Sequence, residues 1–304
     1  MFKEVRVSKI AKFLNSEFYG VDNIIKGGAS LDNAKDNMVI FSKKNSQEIV
    51  INKKVLLLAS LDYKCDNIDY TVIKVKNPRL AFAKVLNKFF IEKPLYEIHK
   101  TAIIGKNFNA NEAVAIGANC YIGDNVTIGK NTVINNNVVI FNNTNIGNSC
   151  YVKSGAIIGE EGLGFDFEDD GTPVRIPHIG NVEIGSDVEI GSNTVISRGT
   201  LGSTIIQNDV KIDDQVFIAH NCSIGQKTII VAFAEISGSV VIGKNCWIGP
   251  NSSIIQKIEI GDYVTVGIGA VVTKNIESKK KVMGFEALEL RNLLKLKKRI
   301  EYGK

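Results

Sequence analysis

Residues 206–224 read IQNDVKIDDQVFIAHNCSI, with an isoleucine at every sixth position. The spacing continues without a slip, and Ile or Val stands at 206, 212, 218, 224, 230, 236, 242, 248, 254, 260, 266 and 272. A period of six fits neither an α-helix nor an ordinary hairpin, and it is the hexapeptide signature of a parallel β-helix. Each unit supplies one short strand and one turn, and its aliphatic side chain points inward onto the next coil.

The same period occurs earlier in the chain. Positions 104 to 158 carry Ile, Val or Ala every six residues, and Ile184, Ile190 and Ile196 resume the pattern in a shifted phase. The shift indicates a large excursion over 160–177, and a smaller break lies between 196 and 206. Excursions from a solenoid are usually loops on its functional face.

The first 98 residues show no hexapeptide period. Residues 7–14 predict a short amphipathic helix with Ser8 as a possible N-cap, and a second helix should start at Asn77-Pro78. Apolar runs at 38–41, 55–59 and 70–75 predict strands. Mixed strands and helices are typical of a small α/β domain.

These patterns predict a mainly β fold in three parts: an α/β domain over 1–98, a β-helix over 99–273 and a C-terminal tail over 274–304. Within the tail, residues 284–304 combine leucines with lysines and arginines as a basic amphipathic helix does. That helix could cap the open end of the solenoid, and its charges could be solvated or could contact an acidic partner.

Composition limits the possible functions. The chain has 304 residues, 44% of them hydrophobic, and a net charge of +5, which argues weakly against nucleic acid as a partner. The five cysteines are odd in number and most fall in hexapeptide units, so we expect reduced structural thiols. No apolar run approaches the ~20 residues of a bilayer span, and no signal-peptide core follows Met1. We expect a cytoplasmic protein without a transmembrane segment.

The motifs of several site classes are missing from the sequence. The chain has three histidines and no HxxxH or CxxC spacing, so we expect no metal site. Neither a GxGxxG or GxxxxGK loop nor a Gly-x-Ser-x-Gly elbow occurs. We therefore expect no permanently bound cofactor.

His220 is the candidate catalytic base, because imidazole is suited to accept a proton near neutral pH. A lone histidine is more often structural, so this alternative stays open. Asp213 and Asp214 lie about one unit earlier and could orient the ring. If three units make one coil, Gly202 and Gly238 stack on either side of His220 and leave room for a substrate.

Four motifs together resemble one known family, the UDP-3-O-acylglucosamine N-acyltransferases of lipid A synthesis. They are NPRLAFA at 77–83, IGEEGLGF at 158–165, RIPHIG at 175–180 and IDDQVFIAHN at 212–221. The resemblance implies a left-handed parallel β-helix, a homotrimer, and active sites in clefts between subunits. It also implies that His220 is the general base and that the backbone N–H of Gly238 binds the oxyanion.

The resemblance also implies residues that bind the nucleotide sugar. Ile40-Phe41 resembles a strand whose aromatic residue stacks on uracil, although a core position for Phe41 remains an alternative. Lys44 and Gln47 stand where the family usually carries Asn and Tyr in contact with the nucleotide. Phe165 and His178 lie in the two loop motifs and are further candidates.

The acyl-donor residues depart from the family pattern. Lys257 stands about where the family has a second histidine, and Phe233 makes a small turn bulkier. Residues 247–251 and 266–274 resemble the coenzyme-A-binding end of sugar acetyltransferases. The candidate donor-binding residues are Phe233, Trp247, Lys257, Gly267 and Lys274.

Three functions follow from these observations. The favoured one is acyl transfer from acyl carrier protein to UDP-3-O-acylglucosamine. The alternative is a coenzyme-A-dependent N-acetyl- or N-acyltransferase that acts on another UDP- or dTDP-linked amino sugar for O-antigen or surface polysaccharide. The third is a β-solenoid scaffold without activity, against which the intact IAHN unit at 218–221 argues.

Overall fold

The computed structural model describes residues 4–42, 54–64, 69–92, 94–110, 113–284, 289–292 and 294–295. The chain forms two compact units, Met1–Lys93 and Pro94–Lys304.

The first unit is an α/β fold. Its sheet has five strands, in the order Phe18–Tyr19, Thr71–Lys74, Leu56–Ala59, Met38–Phe41 and Gly27–Gly28. Val5–Arg6 pairs separately with Ile24–Ile25. The helical segments are Val7–Leu14, a 3-10 turn at Leu31–Asn33, Pro78–Val85 and a π-helical turn at Leu86–Phe90. The strands predicted near 38–41, 55–59 and 70–75 are confirmed.

The starts of the two α-helices differ in how they are capped. Asn77 accepts a hydrogen bond from the Leu80 N–H at 3.1 Å, as the Asn-Pro motif predicts. The prediction of Ser8 as N-cap was wrong, because Arg6 occupies that position. Ser8 instead donates from its N–H and its hydroxyl to the Asp22 carboxylate at 2.8 and 2.9 Å, so a residue distant in sequence caps this helix.

The second unit is the expected parallel β-helix, which confirms the fold predicted from the hexapeptide period. Its strands form three parallel sheets, which we call the first, second and third faces.

The first face contains Ala115–Ile116, Val133–Ile134, Tyr151–Val152, Glu189–Ile190, Lys211–Ile212, Ile229–Ile230, Trp247–Ile248, Thr265–Val266 and Lys281–Val282. The second contains Ile103–Ile104, Tyr121–Ile122, Val139–Ile140, Ile157–Glu160, Val195–Ser197, Phe217–Ile218, Glu235–Ile236, Ser253–Ile254 and Val271–Val272. The third contains Asn109–Ala110, Thr127–Ile128, Asn145–Ile146, Asn181–Ile184, Ser203–Ile206, Ser223–Ile224, Val241–Ile242 and Glu259–Ile260.

Stacked coils are 18 residues apart, so three hexapeptide units make one coil. The repeated Ile and Val side chains point inward and form one continuous buried core. Four cysteines also face this core as free thiols, and burial raises the pKa of Cys222 to about 11. Cys65 and most of the tail helix predicted over 284–304 lie outside the described residues, while residues 290–292 and 294–295 are helical.

The turns between faces use a left-handed backbone at nearly every sixth residue. Asparagine occupies many of these positions, for example Asn125, Asn137 and Asn221 with φ of 55°, 59° and 58°. Asparagine tolerates this conformation better than most residues. Phe233 and Lys257 adopt it as well, with φ of 62° and 60°, so the turn geometry overrides side-chain preference there.

Buried threonines complete the hydrogen bonding of some turns. The Thr228 hydroxyl donates to the Gly243 carbonyl at 2.8 Å and accepts from the Cys246 N–H at 3.0 Å. Thr228 is fully buried, so water cannot replace either bond.

We expect Thr228→Val to lower the free energy of unfolding by about 1–3 kcal/mol, because it removes the hydroxyl partner of the buried Cys246 N–H and of the Gly243 carbonyl with little change in side-chain volume. Chemical denaturation measures the change. Thr228→Ser keeps the hydroxyl and is the control. Equal stability of the Val and Ser variants would contradict this role of the hydroxyl.

Candidate active site at the second corner of the solenoid

The candidate site lies where the second face turns into the third, which we call the second corner. His220, Gly238, Lys257 and Lys274 each follow a strand of the second face. Both excursions also leave from this corner, since the strands Ile157–Glu160 and Val195–Ser197 belong to the same face. The fold therefore gathers the predicted base, one predicted oxyanion donor and two lysines along one edge.

Other predicted residues lie elsewhere on the solenoid. Asp213, Asp214, Phe233 and Gly267 follow strands of the first face, so they belong to a different corner. Trp247 lies on a strand of the first face, half exposed.

The expectation that Asp213 or Asp214 orients His220 is corrected by this geometry. The Asp214 carboxylate accepts from the Ser192 N–H at 2.7 Å and from Lys153 Nζ at 3.2 Å. Within the described residues, no hydrogen bond or ion pair joins either aspartate to His220. The reason is that one six-residue unit advances the chain by a whole face of the coil, which moves the side chain to another corner.

Asn221 is the residue that holds the His220 ring. Its Nδ2 lies 3.0 Å from His220 Nδ1, and its Oδ1 accepts from the Thr200 N–H at 2.8 Å. Because that N–H can only donate, the amide orientation is fixed and Nδ2 must donate to His220 Nδ1. In this arrangement Nδ1 is an acceptor, and the ring proton of neutral His220 sits on Nε2.

Asn221 could have been found from the sequence, because IAHN places it beside His220. Its role was missed because the partner that fixes its amide, Thr200, lies 21 residues earlier in the small break. Only the coil geometry brings that break against the IAHN turn.

Gly238 stacks on His220 from the next coil, as predicted. A Cβ built at Gly238 would lie 2.7 Å from His220 Cε1 and 2.8 Å from Nε2, so glycine is required for the ring to occupy this place. Gly202 does not contribute in the same way, since a Cβ there meets nothing within 4 Å.

Among the described residues, the backbone N–H of Gly238 has no hydrogen-bond acceptor. At the equivalent position of other turns, the N–H bonds a side-chain oxygen of the next coil, as Lys130 N does with Asn148 and Lys244 N with Asp262. For Gly238 no such hydrogen bond is found in the described part of the chain. A free N–H beside the imidazole is the feature that an oxyanion site requires.

The large excursion packs a second imidazole against the first. The rings of His178 and His220 are 5.0 Å apart and nearly perpendicular, and His178 is only 3% exposed. The hairpin Phe165–Phe167 and Pro173–Arg175 forms the outer part of this loop. Arg175 and Glu161 close its base with an ion pair at 3.0 Å.

Glycines make room for this pair of rings. A Cβ at Gly162 would lie 3.0 Å from His220 Cδ2 and 3.2 Å from His178 Nε2, and one at Gly164 would lie 2.7 Å from His178 Cε1. The glycines of the IGEEGLGF motif therefore serve close packing around His220, which the sequence alone did not reveal.

The surroundings of His220 favour its neutral form. Burial is the largest effect that lowers the pKa of His220 below its ordinary 6.5, and the positive charge of protonated His178 would lower it further. A backbone hydrogen bond with Leu163 acts in the opposite direction. The net direction is downward, so His220 is neutral near pH 7 and can take part in proton transfer.

The predicted nucleotide-sugar residues are dispersed. In the first unit, Phe41 lies at the end of its strand and packs against Phe82, with ring centroids 5.1 Å apart. Lys44 and Gln47 lie outside the described residues. Phe165 is half exposed on the hairpin with Arg175 over its ring at 5.7 Å.

The described residues contain no group of three or more His, Cys, Asp or Glu side chains that could hold a metal ion. Among the helices that the structure describes, none has the length and apolar character that a bilayer span requires.

Comparison with known proteins identifies repeats and relatives. A model described as "Bacterial transferase hexapeptide (six repeats)" matches residues 239–274, and one described as "Hexapeptide repeat of succinyl-transferase" matches residues 102–141.

Two curated relatives carry the same name, UDP-3-O-acylglucosamine N-acyltransferase. The protein of Chlorobium chlorochromatii is 57% identical over 83 residues, which cover 27% of this chain and 23% of the relative. The protein of Coxiella burnetii is 40% identical over 199 residues, which cover 59% of this chain and 57% of the relative. The matches therefore span less than two thirds of either relative.

Solved structures show the same architecture. The UDP-N-acetylglucosamine O-acyltransferase of Moraxella catarrhalis superposes with a TM-score of 0.56 at 29% identity, over 66% of this chain and 77% of that one.

We expect Gly238→Ala to reduce any activity that depends on His220, because the new methyl group would displace the imidazole. Gly202→Ala, where a methyl group meets only open space, should leave activity near wild type. Steady-state kinetics of both variants, with circular dichroism to confirm folding, measure the difference. Equal activities would show that the ring position is not critical.

Proposed function

We propose that this protein transfers an acyl group from a thioester to the amine of a nucleotide-linked amino sugar. The two curated relatives confirm its resemblance to the UDP-3-O-acylglucosamine N-acyltransferase family. The observation that carries the proposal is the pairing of His220 with the free N–H of Gly238. A proton carrier and an oxyanion donor side by side are the minimum that aminolysis of a thioester requires.

The proposed reaction proceeds by addition and elimination. The sugar amine attacks the thioester carbonyl, a C–N bond forms, and His220 takes a proton from the nitrogen. The Gly238 N–H binds the oxygen that becomes negative in the tetrahedral intermediate. The C–S bond then breaks, and the thiolate leaves with a proton that the imidazolium can return. Holding both substrates at one corner supplies a further part of the rate.

The favoured acceptor is UDP-3-O-acylglucosamine, in lipid A synthesis. Its support is the printed name of the two curated relatives and the order of the family motifs along the chain. Phe41 would stack on the uracil, and Lys44, Gln47, Phe165 and His178 remain candidate contacts of the nucleotide sugar. His178 is the weakest of these, because its ring is buried against His220.

The acyl donor is a thioester of acyl carrier protein or of coenzyme A. Both carry a thiol at one end of a phosphopantetheine arm and a phosphate at the other. Lys257 and Lys274 are exposed on the second corner, two and three coils beyond His220, or about 10 and 14 Å at the usual strand spacing. Their charges would bind that phosphate while the thioester reaches Gly238.

A coenzyme-A-dependent enzyme for another UDP- or dTDP-linked amino sugar is the second candidate. The lysine at 257, where the family has histidine, and the resemblance of 247–251 and 266–274 to sugar acetyltransferases favour it. Phe233, Trp247 and Gly267 would then contribute to donor binding from the neighbouring corner.

We also propose a homotrimer in the cytoplasm. All three faces of the solenoid carry outward aromatic or aliphatic side chains, including Phe217, Trp247 and Val241, each more than a third exposed. Packing three solenoids around an axis would remove such surface from water. Acyl carrier protein and coenzyme A thioesters are cytoplasmic, which supports this location.

A product-mass assay tests the function. The protein would be offered a 3-hydroxyacyl chain on acyl carrier protein, or acetyl-coenzyme A, with UDP-3-O-acylglucosamine or with simple UDP- and dTDP-linked amino sugars. We expect N-acylation of the lipidic sugar from the carrier protein. His220→Ala should lower kcat/KM by at least about 100-fold, because it removes the proton carrier.

His99→Ala is the matched control, since His99 lies at the start of the solenoid and contacts Thr101. Acetylation of a simple nucleotide sugar alone would select the coenzyme-A-dependent function. Product formation that is unchanged in His220→Ala would reject the proposed role of His220, and no product with any donor would favour a scaffold.

Phe233 provides a second prediction, on acyl-chain length. Its exposed ring makes the turn at the first corner bulkier, so Phe233→Gly should shift donor preference toward longer chains. Tyr263→Gly is the control, because Tyr263 is a half-exposed aromatic residue with the same left-handed backbone, φ 58°, at the third corner. An unchanged chain-length preference, measured with donors of graded length, would exclude Phe233 from the donor site.

A further inference from the structure

The protonation of His220 raises a difficulty for its role as a base. In the structure, Asn221 Nδ2 donates to His220 Nδ1, which leaves the proton on Nε2. Nε2 is the nitrogen that faces Gly238, where the amine and the thioester would meet. A ring with N–H at that position can donate a hydrogen bond but cannot accept a proton from the amine.

His178 offers the missing acceptor. Its Nδ1 lies 3.1 Å from the Ile176 carbonyl oxygen, which can only accept, so Nδ1 carries the proton and Nε2 bears a lone pair in the neutral ring. This Nε2 is the one buried side-chain nitrogen or oxygen without a hydrogen-bond partner among the described residues. Leaving such an atom unpaired costs stability, so it calls for a partner.

The ring of His220 can supply that partner by turning over. Rotation by half a turn about its Cβ–Cγ bond exchanges Nδ1 with Cδ2 and Nε2 with Cε1. In the structure, before any rotation, His220 Cδ2 and His178 Nε2 both lie on the side of Gly162, since a Cβ at Gly162 would be 3.0 and 3.2 Å from these atoms. The rotation would therefore bring Nδ1 to the side of His178 Nε2. Cε1 and Nε2 both face Gly238, so the turned ring still presents Nε2 to the same space.

We propose that His178 is a positioning residue that converts His220 into a base by accepting a hydrogen bond from Nδ1–H of the turned ring. The proton moves from Nε2 to Nδ1 through solvent exchange, and the number of protons on the pair does not change. His220 Nε2 then carries a lone pair that faces the amine. Asn221 keeps its bonds to Thr200 in both states.

The charged groups around the pair fit this assignment. Glu161 lies at the base of the loop, where its carboxylate accepts a hydrogen bond from the backbone N–H of His178 at 3.4 Å and forms an ion pair with Arg175. The negative charge of Glu161 is thus paired with the arginine and with the backbone N–H. Among the described residues, no carboxylate forms a hydrogen bond with either imidazole ring. Each ring therefore depends on the other, on Asn221 or on a backbone carbonyl for orientation.

The expected effect on kinetics rests on the proposed function. The direct test measures the protonation of the His220 ring and does not require an activity assay. The chain has three histidines, so ¹⁵N labelling of histidine yields few imidazole signals, and nitrogen shifts report which ring nitrogen is protonated. We expect wild-type His220 to populate the Nδ1–H form. In His178→Leu this form should disappear and Nε2–H should remain.

His178→Gln keeps an acceptor oxygen at similar reach and should preserve the Nδ1–H population. An identical His220 protonation pattern in wild type and His178→Leu would overturn the proposal. Because the measurement uses the full chain without substrate, it holds or fails independently of which sugar the enzyme acylates.

Kinetics provide the second arm. We expect His178→Leu to lower kcat by about 100-fold with little change in KM, and His178→Gln to retain most of the activity. Asn221→Asp should rescue His178→Leu, because a carboxylate on the Asn221 side accepts from Nδ1–H without the ring turning. Equal losses in the Leu and Gln variants, or failure of the aspartate to rescue, would show that His178 only packs the loop.

Discussion

The pairing of each coil with the next, 18 residues further on, is the constraint on which this structure depends. Every strand of the three faces has only two to four residues, so the ladders between coils supply most of its hydrogen bonds. In-register stacking forces one aliphatic side chain inward at each sixth position and a left-handed turn residue between faces. Buried threonines such as Thr228 form hydrogen bonds with backbone N–H and carbonyl groups of the turns that the ladders do not satisfy.

The candidate site lies where this regular stacking is interrupted, at the second corner. Both excursions interrupt the repeat after strands of the second face, so the inserted residues emerge at one corner while the core below continues. There, the absence of a side chain at Gly238 leaves room for the His220 ring, and the IGEEGLGF glycines let a second imidazole approach. The candidate site therefore consists of departures from the repeat on a scaffold of stacked coils.

The groups that orient and contact the His220 ring at the second corner are neutral. His220 is oriented by an amide, Asn221, and faces a second imidazole rather than a carboxylate. A carboxylate partner would raise the pKa of His220, whereas burial beside His178 lowers that pKa. Two acids have other partners: Asp214, at a different corner, binds Lys153, and Glu161 binds Arg175.

The sequence by itself determined the β-helix and the two excursions, because a six-residue period is local information that strand and turn geometry impose. It also marked His220 as the candidate base, since no other histidine lies within the unbroken run of repeats. It also located Gly238, since stacking follows from counting 18 residues. It could not assign Asp213, Phe233 or Asn221, because a residue's corner depends on how faces alternate around the coil. The burial of His178 against His220 was decided by tertiary structure alone, since a loop's return path is set by packing, and the hand of the solenoid rests on the family resemblance.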